Sequence, residues 1–160
     1  MTVSDILVTV DHPTRADVLA LLEAHLADMR ATSPPESVHA LDPAALAAPD
    51  ITFWTARRDG RLLGCAALRR LAPDHGEVKS MRTSPAARRS GIGRVLLLTV
   101  IEEAVRRRYA HVSLETGSQD FFEPARRLYA AHGFVECGPF GSYVEDRNSV
   151  FMTRALGSEG

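Results

Sequence analysis

Residues 78–97, VKSMRTSPAARRSGIGRVLL, run a strand, a proline-containing loop, a Gly-x-Gly step and an apolar helix together. Three arginines, Arg88, Arg89 and Arg94, surround Gly91 and Gly93. Arginines beside glycine-exposed backbone read as an anion site: successive N–H groups converge on phosphate oxygens, and the helix N-terminus adds partial positive charge. Nucleic acids, nucleotides, dinucleotides and coenzyme A all present such oxygens. The same residues also suit a plain turn with solvated arginines, so the neighbouring chain must decide.

Composition narrows the choice. The 160 residues suffice for one domain with a real core, and we take 1–160 as a single unit. The formal net charge of -1 provides no global basic field for a polyanion, so nucleic acid is not an expected partner. The N-terminus MTVSDILVTV lacks a basic segment followed by a long apolar one, and the greasiest run, 95–101, is far shorter than the roughly 20 residues of a membrane span. Cys65 and Cys137 lie in strand-like runs without a Cys-x-x-Cys, as small core residues in a reducing compartment do. We therefore expect a cytoplasmic protein with no membrane association and no metal.

Along the chain, residues 6–10 read as a strand and Thr14 as the cap of a helix with apolar positions 18, 19, 22, 26 and 29. Residues 30–50 are proline-rich and irregular, either a loop or short helical turns. Two strand-like runs come next, joined by Asp59-Gly60, a strong hairpin signal. Strand 77–83, helix 92–108, strand 111–116, helix 121–132 with a glycine stop, and two final strands complete the order βα-ββ-β-α-β-α-β-β. This predicts a mixed α/β (α+β) fold, with a central sheet of six or seven strands and helices on both faces.

Several anion-binding motifs are excluded. A P-loop requires Gly-Lys-Ser/Thr, which is absent. A dinucleotide fingerprint needs a third glycine where Leu96 stands and a tighter loop than 83–91, although Glu115 lies about 20 residues on, where a ribose-binding acid belongs. His75-Gly-Glu77 matches the start of a zinc-deaminase signature, but the paired cysteines are missing.

What remains, Arg88-x-x-Gly91-x-Gly93 between strand and helix, resembles motif A of the GNAT N-acetyltransferase superfamily. The segment 125–134, ARRLYAAHGF, resembles the second signature of that superfamily, and the element order over residues 5–156 is similar to its splayed-sheet fold. The resemblance implies that the anion is the pyrophosphate of acetyl-CoA, held by Arg88, Arg89, Ser90, Gly91, Ile92, Gly93 and Arg94. It implies that the pantetheine arm runs along Met81, Arg82 and Thr83, with a main-chain N–H near Met81 facing the oxyanion. The sequence departs from the family at Phe122, where an asparagine often touches the pantetheine; Ser118 and Gln119 are the available substitutes.

The resemblance further implies direct acetyl transfer to an amine. Tyr129 is the expected general acid, because positions 125, 128, 129 and 132 share a helix face; a core aromatic is the alternative. Glu77 is the candidate base, direct or through water, expected to share a strand side with Lys79 and Met81; the alternative is an exposed edge carboxylate, and His75 offers the same chemistry. Glu36 and His39, and next Glu145 and Asp146, are candidate contacts for a small primary amine or amino-acid-like acceptor, or else solvated loop residues. A homodimer through the C-terminal strands is implied by resemblance alone. A competing class keeps the fold and binds CoA, or another protein, without transfer.

If the arginines hold phosphates, Arg88→Ala and Arg94→Ala should each weaken CoA binding by about 1.5–3 kcal/mol, the worth of a charged hydrogen bond. Arg106→Ala and Arg107→Ala should leave it unchanged. Calorimetry on the four variants checks this, and losses spread over every basic cluster would point to a polyanion instead.

Overall fold

Asp59 and Gly60 both adopt positive φ (53° and 78°), the geometry of a tight turn whose twist matches its flanking strands. Strands β2 (Ile51–Arg58) and β3 (Arg61–Ala72) leave it as an antiparallel hairpin. The computed structural model describes residues 6–38, 43–87 and 90–157. Arg88, Arg89 and His39 lie outside the described residues.

The remaining strands are β1 (Leu7–Val10), β4 (His75–Thr83), β5 (His111–Gly117), β6 (Val135–Cys137) and β7 (Ser149–Ala155), in the sheet order β1-β2-β3-β4-β5-β7-β6. Every neighbouring pair is antiparallel except β4 and β5, which are parallel and joined through helix α2 (Ile92–Arg106). Helix α1 (Ala16–Thr32) packs Val18, Leu21 and Leu22 against Phe53, Cys65 and Ala67 on one face. On the other face α2, with Tyr129 of helix α3 (Glu123–Ala131), covers Trp54, Ala66, Leu68 and Val78. Both faces are covered, which explains why β2 and β3 are buried through consecutive residues.

Several boundaries differ from expectation. Thr14 is not the cap of α1; Arg15 is, without a side-chain cap bond. The helix start is held instead by side-chain contacts to β2: Arg57 pairs with Asp17 in the first turn at 2.7 Å, and Asp11, just before the helix, accepts from Thr55 at 2.7 Å. The irregular segment contains two short 3₁₀ turns, Pro35–Ser37 and Ala45–Ala47. Strand β4 starts at His75, and α3 starts at Glu123 after a 3₁₀ turn over Asp120–Phe122. Gly133 comes after α3 at φ 90°, as a glycine stop requires.

Two irregularities in β4 shape the sheet around it. Cys65 pairs with Arg82 and Ala67 with Lys79, so three steps on β4 answer two on β3. This is a bulge, with Ser80 at φ 54° as the extra residue. The Cys65 thiol donates to the Ser80 carbonyl at 3.3 Å. The second irregularity is that β4 and β5 pair only over His75–Glu77 with His111–Ser113. Beyond that point β5 stays with β7 and β4 stays with β3, so the sheet opens.

The far end of β4 is fixed to its neighbours. A Cβ on Gly64 would sit 2.7 Å from the Arg82 carbonyl oxygen, with Leu96 and Ile92 of α2 at 3.0 and 3.1 Å. Arg82 also bonds Asp28 of α1, and His25 of α1 is beside the guanidinium at 3.5 Å. Burial, then the positive charge of Arg82, pushes His25 down to about 4.

These contacts have measurable consequences for stability. Gly64→Ala should cost about 1–3 kcal/mol in denaturant unfolding, because the obstructing atom is backbone and cannot rotate away. Acidification should also destabilise the fold from about pH 6.5 down to about 4. In that window the unfolded chain protonates a histidine that the folded chain keeps neutral at position 25. His25→Gln should flatten that part of the stability profile, leaving the smaller contribution of His75, whose pKa is lowered in the same direction.

Candidate active site

Helix α2 begins at Gly91, in the left-handed region at φ 85°, with nothing within 4 Å of where a side chain would start. Its first intrahelical bond runs from Val95 N–H to Gly91 C=O, so the N–H groups of Ile92, Gly93 and Arg94 have no partner within the helix. Ile92 is buried and anchors the turn, so only its main chain is available there. Ser90 closes the preceding loop by donating to the Ala87 carbonyl. The Arg94 side chain is exposed. A Cβ on Gly93 would meet Leu128 of α3 at 3.3 Å and the Thr83 hydroxyl at 3.7 Å. The end of β4, the start of α2 and the flank of α3 therefore converge on one place.

From there a cleft runs along the opening between β4 and β5. It is walled by residues 78–81 of β4, residues 114–117 of β5, Phe122, Ala125 and Tyr129, with His25 and Met29 of α1 on the far side. Past Glu77, β4 has no ladder partner on its β5 side among the described residues. Its main chain can therefore hydrogen-bond an extended ligand as a strand would. Met81 is half-buried against the α2 core. Because Arg82 is engaged by Asp28 on the other face, its contribution to this cleft is limited to main chain.

Tyr129 and Glu77 meet in this cleft. Of the four positions expected to face the sheet, Tyr129 alone is buried; Ala125, Leu128 and His132 are half-buried. Burial, then the Glu115 carboxylate, raises the Tyr129 phenol well above its ordinary value, so it carries its proton throughout the neutral range. Glu77 is 2% exposed and is no edge carboxylate. The Tyr143 hydroxyl donates to its Oε2 at 2.6 Å, and Lys79 Nζ stands 3.3 Å from the same oxygen and 3.1 Å from the Tyr143 hydroxyl. Burial, then Glu77, raises the Tyr143 phenol as well. The expected company of Glu77 needs one correction: the Ser80 bulge turns Met81 to the α2 face and brings Arg82 to the side of Glu77 and Lys79.

His75 is instead occupied with Ser113, at 2.7 Å, and its pKa is lowered by burial and then by His111. Phe122 fills the place of the family's asparagine, wedged so tightly that a Cβ on Gly117 would lie 2.2 Å from its ring. The two other candidates for that contact are engaged with a neighbouring loop: Ser118 donates to the Arg147 carbonyl at 2.7 Å and Gln119 to Asn148 at 3.1 Å. Both tie β5 to the loop over residues 138–148.

The acceptor candidates divide. Glu36 and Glu145 are exposed and outside the lining of the cleft. Asp146 accepts from Ser37 at 2.5 Å, joining the Pro35–Ser37 turn to the 138–148 loop. Lys79 and Tyr143, which complete the Glu77 cluster, carry no role on sequence grounds. For Lys79 the signal is the i, i+2 period of a strand, which sets it beside Glu77; Tyr143 has none, since only folding brings it to Glu77.

Comparison with known proteins agrees with this geometry. The acetyltransferase (GNAT) family model matches residues 18–134. An uncharacterized N-acetyltransferase of Bacillus subtilis (strain 168), YsnE, is 50% identical over 149 residues, covering 93% of this chain and 99% of its own. An IAA acetyltransferase of Azospirillum brasilense is 42% identical over 139 residues, 84% of this chain and 86% of that one. The solved structure of a GNAT family acetyltransferase from Elizabethkingia anophelis, with acetyl-CoA bound, shares the fold at TM-score 0.68 and 18% identity, over 96% of this chain and 99% of that one. The family match and the close relatives leave one conclusion: this chain belongs to the GNAT family and is an acetyltransferase.

Proposed function

We propose that the protein moves an acetyl group from acetyl-CoA directly to the primary amine of a small, amino-acid-like molecule, with both substrates bound together. The observation that carries this reading is that Tyr129, Glu77 and the part of β4 beyond its β5 ladder line one opening in the sheet. The names of the relatives, an N-acetyltransferase and an IAA acetyltransferase, support acetyl transfer.

Acetyl-CoA supplies the acetyl group as a reactive thioester. The first-turn N–H groups of α2 and the Arg94 side chain hold its pyrophosphate, over the turn shaped by Ser90 and Gly91; Arg88 and Arg89 belong to the same reading. Main chain of Met81, Arg82 and Thr83 holds the pantetheine arm, and an N–H near Met81 faces the carbonyl oxygen as negative charge develops there. Glu77, kept in place by Tyr143 and Lys79, receives the amine proton directly or through water. Tyr129, which burial keeps protonated at neutral pH, gives its proton to the departing sulfur. Both cysteines are free, which fits a cytoplasmic setting. A homodimer through β6 and β7 belongs to the same reading.

Thiol release from acetyl-CoA over a panel of amines tests the reading, since a CoA-binding module without transferase activity would bind and release nothing. Tyr129→Phe keeps the ring and removes one oxygen, so melting temperature and acetyl-CoA affinity should hold. Turnover should fall roughly 10²–10⁴-fold, the usual contribution of a positioned acid. A variant that melts early yet turns over normally would leave Tyr129 as packing.

A further inference from the structure

A second cleft lies beyond the Glu77–Lys79–Tyr143 cluster. Those three residues line both clefts, so the two clefts meet at them. The outer cleft adds Arg69, Leu71 and Val144. We propose that this outer cleft receives the acceptor as a carboxylate-bearing amine, an apolar α-amino acid. Arg69 and Lys79 hold its carboxylate, and its amine is turned past Glu77 toward the thioester. The proposal rests on the amine-acetylation reading above and specifies its substrate class.

Charge supports it first. The outer lining sets two cations, Arg69 and Lys79, against one carboxylate, Glu77. Glu77 already accepts from Lys79 and Tyr143. Within the lining this leaves one positive charge, which Arg69 shares with the exposed Asp50 outside it, and it matches an amino acid in its reactive form, with a neutral amine and an ionised carboxylate. A plain amine has no anion to place there, and a polyamine would bring more positive charge to a lining with a single, engaged acid.

Position supports it next. Arg69 is directly opposite Glu77 in the β3–β4 register, so both side chains leave the same face. Its positive charge is among those acting on the Tyr143 hydroxyl. Arg69 also faces Asp50 at 3.5 Å, with both side chains well exposed (40% and 45%). Exposed pairs of this kind are weak, so the guanidinium can turn to a ligand carboxylate and grip it with two parallel bonds.

The apolar part of the acceptor has its own wall. Leu71 is half-buried beside Gly141, and Val144 is 74% exposed on the same loop. An apolar side chain laid between them removes from water a surface that is otherwise wet. In the transfer a C–N bond forms as the C–S bond breaks. One amine proton passes to Glu77 or its water, Tyr129 protonates the sulfur, and solvent returns both groups to their starting states; the acceptor carboxylate is unchanged.

The test compares L-phenylalanine with L-phenylalaninamide, first by thiol release from acetyl-CoA. The amide has the less basic amine and is the better acceptor on chemistry alone, so a preference for the acid reports the subsite. We expect kcat/KM to favour the acid roughly tenfold or more. Arg69→Gln should bring the ratio toward one, chiefly through KM. Calorimetry of CoA-loaded protein with N-acetyl-L-phenylalanine and its amide makes the same comparison without turnover, and a melting curve confirms that the variant is folded. The proposal is overturned if the amide equals or exceeds the acid in both measurements, or if Arg69→Gln weakens acid and amide alike. Absence of thiol release from any amine, with Arg69-dependent binding of the acetylated acid intact, would remove the transfer reading and leave the carboxylate subsite standing.

Discussion

The active region depends on the loss of one hydrogen-bonded ladder. β4 and β5 are held together for three residue pairs and then separate. Their other partners, β3 and β7, prevent either strand from following the other. An opened parallel pair leaves backbone donors and acceptors unpaired, a cost that a fold bears only where water or a ligand takes their place. Helix α2 starts at the wide end of the opening and α3 borders it. The turn at Gly91, the open main chain of β4 and the Tyr129 hydroxyl are thus placed by the same separation.

The Ser80 bulge sets which chemistry faces that opening. An unbulged β4 would put Glu77, Lys79 and Met81 on one side by simple alternation. With one extra residue inserted, Arg82 joins the carboxylate side and is captured by α1 through Asp28, while Met81 joins the α2 core. The buried Glu77–Lys79 pair is expensive to desolvate, and the Tyr143 hydroxyl bonding both partners offsets part of that cost. Because Tyr143 comes from the 138–148 loop, the position of that loop and the placement of the Glu77 carboxylate are linked.

Local rules account for what the sequence discloses. Asp59-Gly60 announces its hairpin because few other dipeptides accept two positive φ angles in succession. Gly91 and Gly93 announce the helix start, and the period of α3 places Tyr129 inward. The two signatures identify the family because they keep fixed spacing within single elements. What stays hidden is non-local or a property of register. The Ser80 bulge comes from a mismatch between two strands, and serine is no marker for a left-handed residue. Tyr143 reaches Glu77 across 66 positions. The cap expected at Thr14 yields to ion pairs whose partners are on β2. Glu36 has the charge of a substrate ligand, yet its 3₁₀ turn points it to solvent while its neighbour Ser37 makes the tertiary contact.

Cys65 sits beneath the bulge, its thiol bonded to the carbonyl of a residue that lines the cleft. A nucleophilic sulfur beside the cleft of an acetyltransferase would be a hazard, since exchange with a bound thioester would strand the acetyl group on the protein. Burial pushes this thiol up to about 12. The thiolate, which is the reactive form, is then a very minor species at neutral pH. The same burial that places Cys65 under the bulge thus keeps its sulfur chemically silent, while its hydrogen bond braces the Ser80 carbonyl.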